Sequence, residues 1–370
     1  MHIPTKEVET DTIVFNSDGT ILSGLFFSTN EELKIFRGCT KINGDLVISG
    51  FTGEIDFSVF DCLQEITGNF YITNNTFEKI SRFEKLETVG GYFAIYSNAE
   101  LRSISGFNML KIVVETFESN NNSKLITISG FKNLERVDGD FKITNNVKLE
   151  EISEFESLRV IVKHLSIYSN LVLKKISGFV KLERVIANFE IFNNKKIITI
   201  SGFGALLSVG FFQIVGNELL TTIPDFEKLE IVGTNQFLGY FRLNNNAELT
   251  EISGFVALRR VHGYFEIFNN VLLTRISGFV NLETVGGYFS IYQNGGNVTP
   301  LNNIVLTVSG FGSFTAVPKG ITGALTLEGI ATDKLLSISQ AIIDNMTNIP
   351  NFTLTPAIFG VTVTDVEITL

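Results

Sequence analysis

Apolar and polar residues alternate with period two along most of this chain, in short bursts separated by Asn, Gly and Ser. In one burst, Phe93 and Ile95 fall on one side while Tyr92, Ala94 and Tyr96 fall on the other. That is the pattern of a strand with one buried face. The pattern predicts a second short strand over Leu101 to Ile104 and a third near Leu110 to Val113. Within these segments no apolar period of 3.6 persists for about ten residues, so they do not read as helix.

The bursts recur at a fixed interval. The leading aliphatic stands at Ile66, Val89, Val113, Val137, Ile161, Val185, Val209, Val232, Val261 and Val285. Steps are 23 or 24 residues, with one longer step before Val261. A partial copy begins at Ile42 and a worn one trails off after Phe311. The motif reads V-x-G-x-F-x-I-x-x-N-x-x-L-x-x-I-S-G-F-x-x-L-E. An all-strand unit of this length is one coil of a solenoid, able to bury its apolar edge only by stacking on its neighbours. The expected fold is therefore all-β, a solenoid of ten to eleven coils of about 24 residues.

Columns follow from the period. One holds Phe70, Phe93, Phe117, Phe141, Phe189, Phe212, Phe241, Phe265 and Phe289, with Leu165 as the exception. A second holds Phe60, Phe83, Phe107, Phe131, Phe155, Phe179, Phe203, Phe226, Phe255, Phe279 and Phe311. Coils spaced by ~4.8 Å would stack these rings in register. A third column is Asn75, Asn98, Asn122, Asn146, Asn170, Asn194, Asn217, Asn246, Asn270 and Asn294. Its residues read as a structural ladder of amides at a left-handed or tightly turned corner, or as a row of polar ligand contacts.

A coil with this motif resembles the receptor L-domain repeat of the insulin and epidermal growth factor receptor ectodomains and some fungal cell-wall proteins. The likeness runs from about Ile42 to Phe311. It implies a right-handed β-solenoid, related in shape to the leucine-rich repeat, with a flat sheet used for binding. The chain lacks the receptors' Cys-rich modules and spanning segment, and Phe replaces much of the usual Leu, so a receptor role is not carried over.

The ends depart from the period. Residues 1–41 are expected to form an N-terminal β cap, with strands over Thr12 to Phe15 and Ile21 to Phe27. The coils occupy 42–316, and 317–370 are expected to form a small α+β C-terminal cap or an assembly module. There, Ile321 to Leu327 reads as a strand and Asp333 to Met346 as a helix capped by Thr332; closing strands fall at Phe352 to Leu354 and Phe359 to Leu370.

Composition sharpens this picture. With 370 residues, 34 Phe, 44% hydrophobic residues and a mean hydropathy of +0.25, the chain raises the question of a membrane span. No window approaches the ~18–20 apolar residues a spanning helix needs, so no membrane insertion is expected. A net charge of −10 argues against nucleic acid as partner. The first eight residues contain no apolar segment. Either export does not use a signal peptide, or the chain is a mature form with a new Met. An extracellular, cell-surface or virion-surface location is nonetheless expected. Five sequons, beginning at Asn74, Asn121, Asn297, Asn345 and Asn351, do not establish secretion in so Asn-rich a chain.

Catalytic chemistry is sparse. Asp138 and Asp140 are the one close Asp pair within the coils, and no carboxylate shares the Asp140 column one coil away. His2, His164 and His262 do not share a column, so neither a catalytic group, a metal nor a cofactor site is expected. Cys39 and Cys62 point in opposite directions on the period, which disfavours a disulfide.

The outward face of the first strand is more informative. It reads Tyr92-Ala94-Tyr96, His164-Ser166-Tyr168, Asn188-Glu190-Phe192, Tyr240-Arg242-Asn244, Tyr264-Glu266-Phe268 and Tyr288-Ser290-Tyr292 in successive aromatic coils. These rings are either half-exposed cross-strand pairs or a contact surface. Tyr240, Tyr264, Phe268, Tyr288 and Tyr292 are the strongest partner-binding candidates. The longer step, Gly233 to Gly239, adds Phe237 and Leu238 as candidate loop contacts. The leading expectation is a non-enzymatic recognition or adhesion module for a protein or glycan. The alternatives are a subunit that binds copies of itself in an appendage, filament or virus particle, and a polysaccharide-active enzyme.

Overall fold

The computed structural model describes residues 6–9, 25–223, 225–234, 239–276, 278–287, 289–292, 294, 307–308, 325–328 and 353–355. The chain divides into two compact units, Met1–Leu182 and Glu183–Leu370. Both are β-solenoids of parallel strands, and together they make about ten turns with very little helix.

In the first unit, six successive coils contribute the strands Leu46–Ser49, Phe70–Thr73, Phe93–Tyr96, Phe117–Asn120, Phe141–Thr144 and Leu165–Tyr168. Each pairs in parallel with the next, with Phe93, Phe117, Phe141 and Leu165 opposite one another. A second sheet stacks the two-residue strands Lys79–Ile80, Ser103–Ile104, Thr127–Ile128, Glu151–Ile152 and Lys175–Ile176. The third strand of each coil is equally short, as in Ile112–Val113 and Arg136–Val137. The second unit repeats this plan with Arg184–Phe192, Ser208–Val215, Phe241–Asn244, Phe265–Phe268 and Phe289–Tyr292. In Arg184–Phe192 and Ser208–Val215 the third strand of one coil runs on into the first of the next without a break.

Both Phe columns point inward. Phe107, Phe131, Phe141, Phe189, Phe212 and Phe241 are fully buried. From Phe83 and Phe93 onward, described rings one coil apart lie 4.8–5.6 Å centre to centre and nearly parallel: Phe93 on Phe117 at 3°, Phe117 on Phe141 at 5°, Phe203 on Phe226 at 8°. Between columns they meet edge to face, as Phe117 does Phe131 at 5.1 Å and 89°. Stacking along the axis and T-shaped contact across it satisfy the ring quadrupole in both directions. The Phe289 side chain and Phe311 lie outside the described residues.

The Asn column is buried and continuous within each unit. Asn122 Oδ1 accepts from the backbone N–H and Nδ2 of Asn98, and Asn122 in turn donates from the same two groups to Asn146 Oδ1. Each amide also reaches back a full coil, as Asn146 Nδ2 does to Ser119 O at 2.9 Å. The second unit repeats the chain through Asn194, Asn217, Asn246, Asn270 and Asn294. The left-handed corner is not at these residues but one position earlier: Asn74, Ser97, Asn121, Asn145, Ser169, Asn193, Asn245 and Asn269 have φ between 53° and 58°. Asn tolerates that region because its short polar side chain bonds locally.

At the N-terminal end, Lys6–Glu9 pairs with Cys39–Asn43 and Leu25–Phe27 with Leu46–Ser49. Of the expected strand over Ile21 to Phe27, Leu25–Phe27 is a strand and the preceding four residues, like Thr12 to Phe15, fall outside the described residues. A four-residue helix, Asn30–Leu33, was not expected. Thr29 and Glu32 form a capping box at its start, and it is too short to register in an apolar period. Leu325–Glu328 and Thr353–Thr355 are strands that overlap the expected Ile321 to Leu327 and Phe352 to Leu354. The helix expected over Asp333 to Met346 and the strand over Phe359 to Leu370 lie outside the described residues.

Candidate functional site

Because strand residues alternate sides, every inward Phe-x-Ile forces three neighbours onto the outer face of the same sheet. In the first unit this face carries Tyr71, 6.3 Å from the Tyr92 ring and 6.4 Å from Tyr96. Burial raises the Tyr71 hydroxyl above its ordinary pKa, and Asp45 and the neighbouring tyrosines push the same way. Further along, Lys142 Nζ lies 2.6 Å from Asp140, which also accepts from the backbone N–H of His164. Burial opposes ionisation of Asp140, but the Lys142 hydrogen bond and the His164 N–H outweigh it and hold the carboxyl below its usual range. Asp138 lies 2.5 Å from Arg136 instead, so the two carboxylates of the Asp pair serve separate ion pairs.

The second unit carries a denser arrangement. Phe211, Tyr240 and Tyr264 succeed one another on adjacent coils, Phe211 edge-on to Tyr240 at 4.9 Å and Tyr240 parallel to Tyr264 at 6.1 Å and 3°. The next column is charged and polar. Arg242 donates from Nε at 2.7 Å to Glu266 Oε2, and its guanidinium lies 4.7 Å from the Tyr240 ring centre. Tyr240 donates to Gln213 Oε1 at 3.1 Å, Gln213 Nε2 to Glu190 Oε1 at 3.1 Å, and Asn188 Nδ2 to the same oxygen at 2.7 Å. These bonds tie the half-buried Tyr240 ring to its neighbours. Burial raises the Tyr240 pKa, with Arg242 opposing and Glu190 and Glu266 reinforcing the rise.

Beside this row lies a depression of about 190 Å³ lined by Phe192, Gln213, Val215, Arg242 and Asn244. Asn244 is 5% exposed, and its Oδ1 has no hydrogen-bond partner.

Of the sequence-predicted contacts, Tyr240 and Tyr264 are brought together, and Phe268 follows Asn244 in the outermost column. Tyr288, the side chain of Tyr292, and the loop residues Phe237 and Leu238 lie outside the described residues. The loop's roots are described: a Cβ on Gly239 would come 1.7 Å from Gly210 O and 2.5 Å from Gly233 Cα, so the insertion leaves and rejoins its coil at one crowded point. The coil Phe211-x-Gln213-x-Val215 went unread as part of this face. Its signal was present, since Phe212, Ile214 and Asn217 hold the inward and ladder positions, but the longer step that follows obscures the register.

Elsewhere, Cys39 and Cys62 are not joined in a disulfide, and among the described residues no group of three or more His, Cys, Asp or Glu is placed to hold a metal ion. His262 is held below its ordinary pKa by burial and by Arg260. No helix among the described residues is long and apolar enough to cross a membrane.

Parallel coils stacked in register, with rings on the outer face of the sheet, define a solenoid repeat protein. Residues 38–130 match the family model of the receptor L domain, and the chain is a receptor L-domain-like β-solenoid repeat protein. No curated protein sequence matches it. Among solved structures it is similar to the crystal structure of the pneumococcal vaccine antigen PcpA, at 14% identity over 96% of this chain and 90% of that one, with a TM-score of 0.18.

Proposed function

We propose that this protein is a non-enzymatic recognition module, displayed at a surface, that holds its partner on the outward sheet face of the second unit. One observation carries the reading: Phe211, Tyr240 and Tyr264 form an unbroken ring row on the outer side of a sheet whose core is already complete. The inward Phe columns account for packing without them. Aromatic rings locked in place, with Arg at their side and polar groups around them, have the composition of binding hot spots. The receptor L-domain-like repeat supports the same use of the sheet.

The test is binding of the full chain to combined protein and glycan arrays. Tyr264→Ala with Phe268→Ala is expected to weaken the hits at least tenfold while melting stays within a few degrees. Unaltered binding would refute the face. Light scattering that shows a polymer or fixed oligomer would instead favour a self-assembling subunit, and a monodisperse monomer at high concentration would remove that alternative.

A further inference from the structure

Two coils of the second unit show how an outward sheet face of this repeat holds an arginine. Tyr240 precedes the inward Phe241 and Arg242 follows it, while Glu266 follows Phe265 on the next coil. From those positions the Arg242 guanidinium lies 4.7 Å from the Tyr240 ring centre and donates to Glu266 Oε2 at 2.7 Å. One planar cation thus answers a ring and a carboxylate together.

The first unit carries the same two partners without the arginine. Tyr92 precedes the inward Phe93, and Glu118 follows Phe117 one coil on, the register positions of Tyr240 and Glu266. Ala94 stands at the position of Arg242, directly opposite Glu118. Tyr92 is 39% exposed, and Glu118 is partly buried and makes no ion pair with any described residue. Lys142, next to Glu118 in the column, is taken by Asp140 at 2.6 Å instead.

Tyr71, opposite Ala94 on the preceding coil, adds a ring 6.3 Å from Tyr92 and 6.4 Å from Tyr96. Ala94 itself is 2% exposed, so a cation would lie over this floor and come from outside the chain. The surroundings are acidic. Burial raises the Tyr71 pKa first, and Asp45 and Glu115 add to the rise. Asp45 accepts from the backbone N–H and Nδ2 of Asn69, neutral donors that do not cancel its charge. An anion is repelled here, and a neutral group leaves Glu118 unanswered. A guanidinium suits both partners, because its flat face covers a ring while its N–H edge meets a carboxylate.

We propose that the outward face of the first unit is a second docking surface, where an exposed arginine of a partner protein lies against Tyr71 and Tyr92 and donates to Glu118. This goes beyond the recognition reading above, which concerns the second unit. The two fail separately, since that face is probed by Tyr264→Ala with Phe268→Ala and this one by Glu118→Gln.

The probes are peptides acetyl-Gly-Ser-Xaa-Ser-Gly-amide, with arginine, lysine or citrulline as Xaa, titrated against the full-length protein and followed by the peptide NMR signals. Binding of the arginine peptide is expected to weaken about tenfold with citrulline and about tenfold in Glu118→Gln, with lysine between, and to fade as salt rises. Glu118 has no ion pair to lose, so Glu118→Gln should keep the wild-type melting temperature. Ala94→Arg supplies the guanidinium from within the chain and should block the peptide. No binding of the arginine peptide, equal binding of the citrulline peptide, or binding undiminished in either variant would overturn the proposal.

Discussion

Replacing Asn146 by Ala isolates what the buried amide column contributes. Asn146 Oδ1 accepts from the Asn122 backbone N–H at 3.0 Å, and its Nδ2 donates to Ser119 O at 2.9 Å. The substitution leaves the Asn122 N–H, on a fully buried residue, without its acceptor, a loss of about 1–3 kcal/mol. Ser119 O loses one bond, worth about 0.5–1.5 kcal/mol. A central value is therefore about 3 kcal/mol. Solenoids open locally, so a global midpoint would blur the effect, and hydrogen exchange read by peptide is the better assay. Exchange around Asn122 should accelerate about a hundredfold while distant coils change little. If it accelerates less than about threefold, the column adds almost nothing to stability and the reasoning from unsatisfied groups fails. Asn146→Asp gives a pH-resolved version. Its protonated carboxyl can both accept and donate, whereas the ionised form cannot donate to Ser119 O and is penalised by burial. Burial raises its folded pKa, so the variant should be near wild type in acid and lose stability as pH rises above the ordinary carboxylate range.

Three further outcomes are expected. Phe117→Ala, whose ring is stacked at 5.0 Å on Phe93 and 4.8 Å on Phe141, should cost about 3–5 kcal/mol, read as faster hydrogen exchange in its own and the adjoining coils; unchanged exchange there would contradict the stacked columns. Gly90→Ala places a Cβ 2.0 Å from Thr67 O and should destabilise by about 1–3 kcal/mol, whereas Gly204→Ala meets nothing within 4 Å and should be neutral or stabilise by up to about 1 kcal/mol. Thermal melts that ranked the two alike would show that the coils shift freely. Asp140, its pKa lowered in the folded state, contributes stability above the ordinary carboxylate range that is lost as pH falls through the folded pKa; Asp140→Asn should flatten the acid limb of a stability-versus-pH curve, and an unchanged limb would count against the Lys142 pair.

The repeat was legible because a coil makes the same contacts again and again. Phe, Ile, Asn and Leu return every 23 or 24 residues, and period-two alternation assigns each to a side. Inward columns, strand positions and the Asn ladder follow from those two periods. Smaller features escaped. The left-handed corner sits at Asn121 and its equivalents rather than at Asn122, because sequence spacing says which residue repeats and not which φ it adopts. The capped turn Asn30–Leu33 is a local hydrogen-bond event with no period at all.

For the candidate site the division is similar. Sequence alone established that Tyr240, Tyr264 and Phe268 face outward, since their inward neighbours Phe241 and Phe265 left no other choice. It could not show that Arg242 leans over Tyr240 while gripping Glu266, that Gln213 ties Tyr240 to Glu190, or that Asn244 Oδ1 is buried without a partner. Those depend on side-chain torsions settled among residues 23 to 29 positions apart in the chain, where the longer coil changes the spacing but not the stacking. Periodicity fixes direction and register because the backbone enforces both. The chemistry of the face is decided only when neighbouring coils lie side by side and their long side chains compete for the same partners.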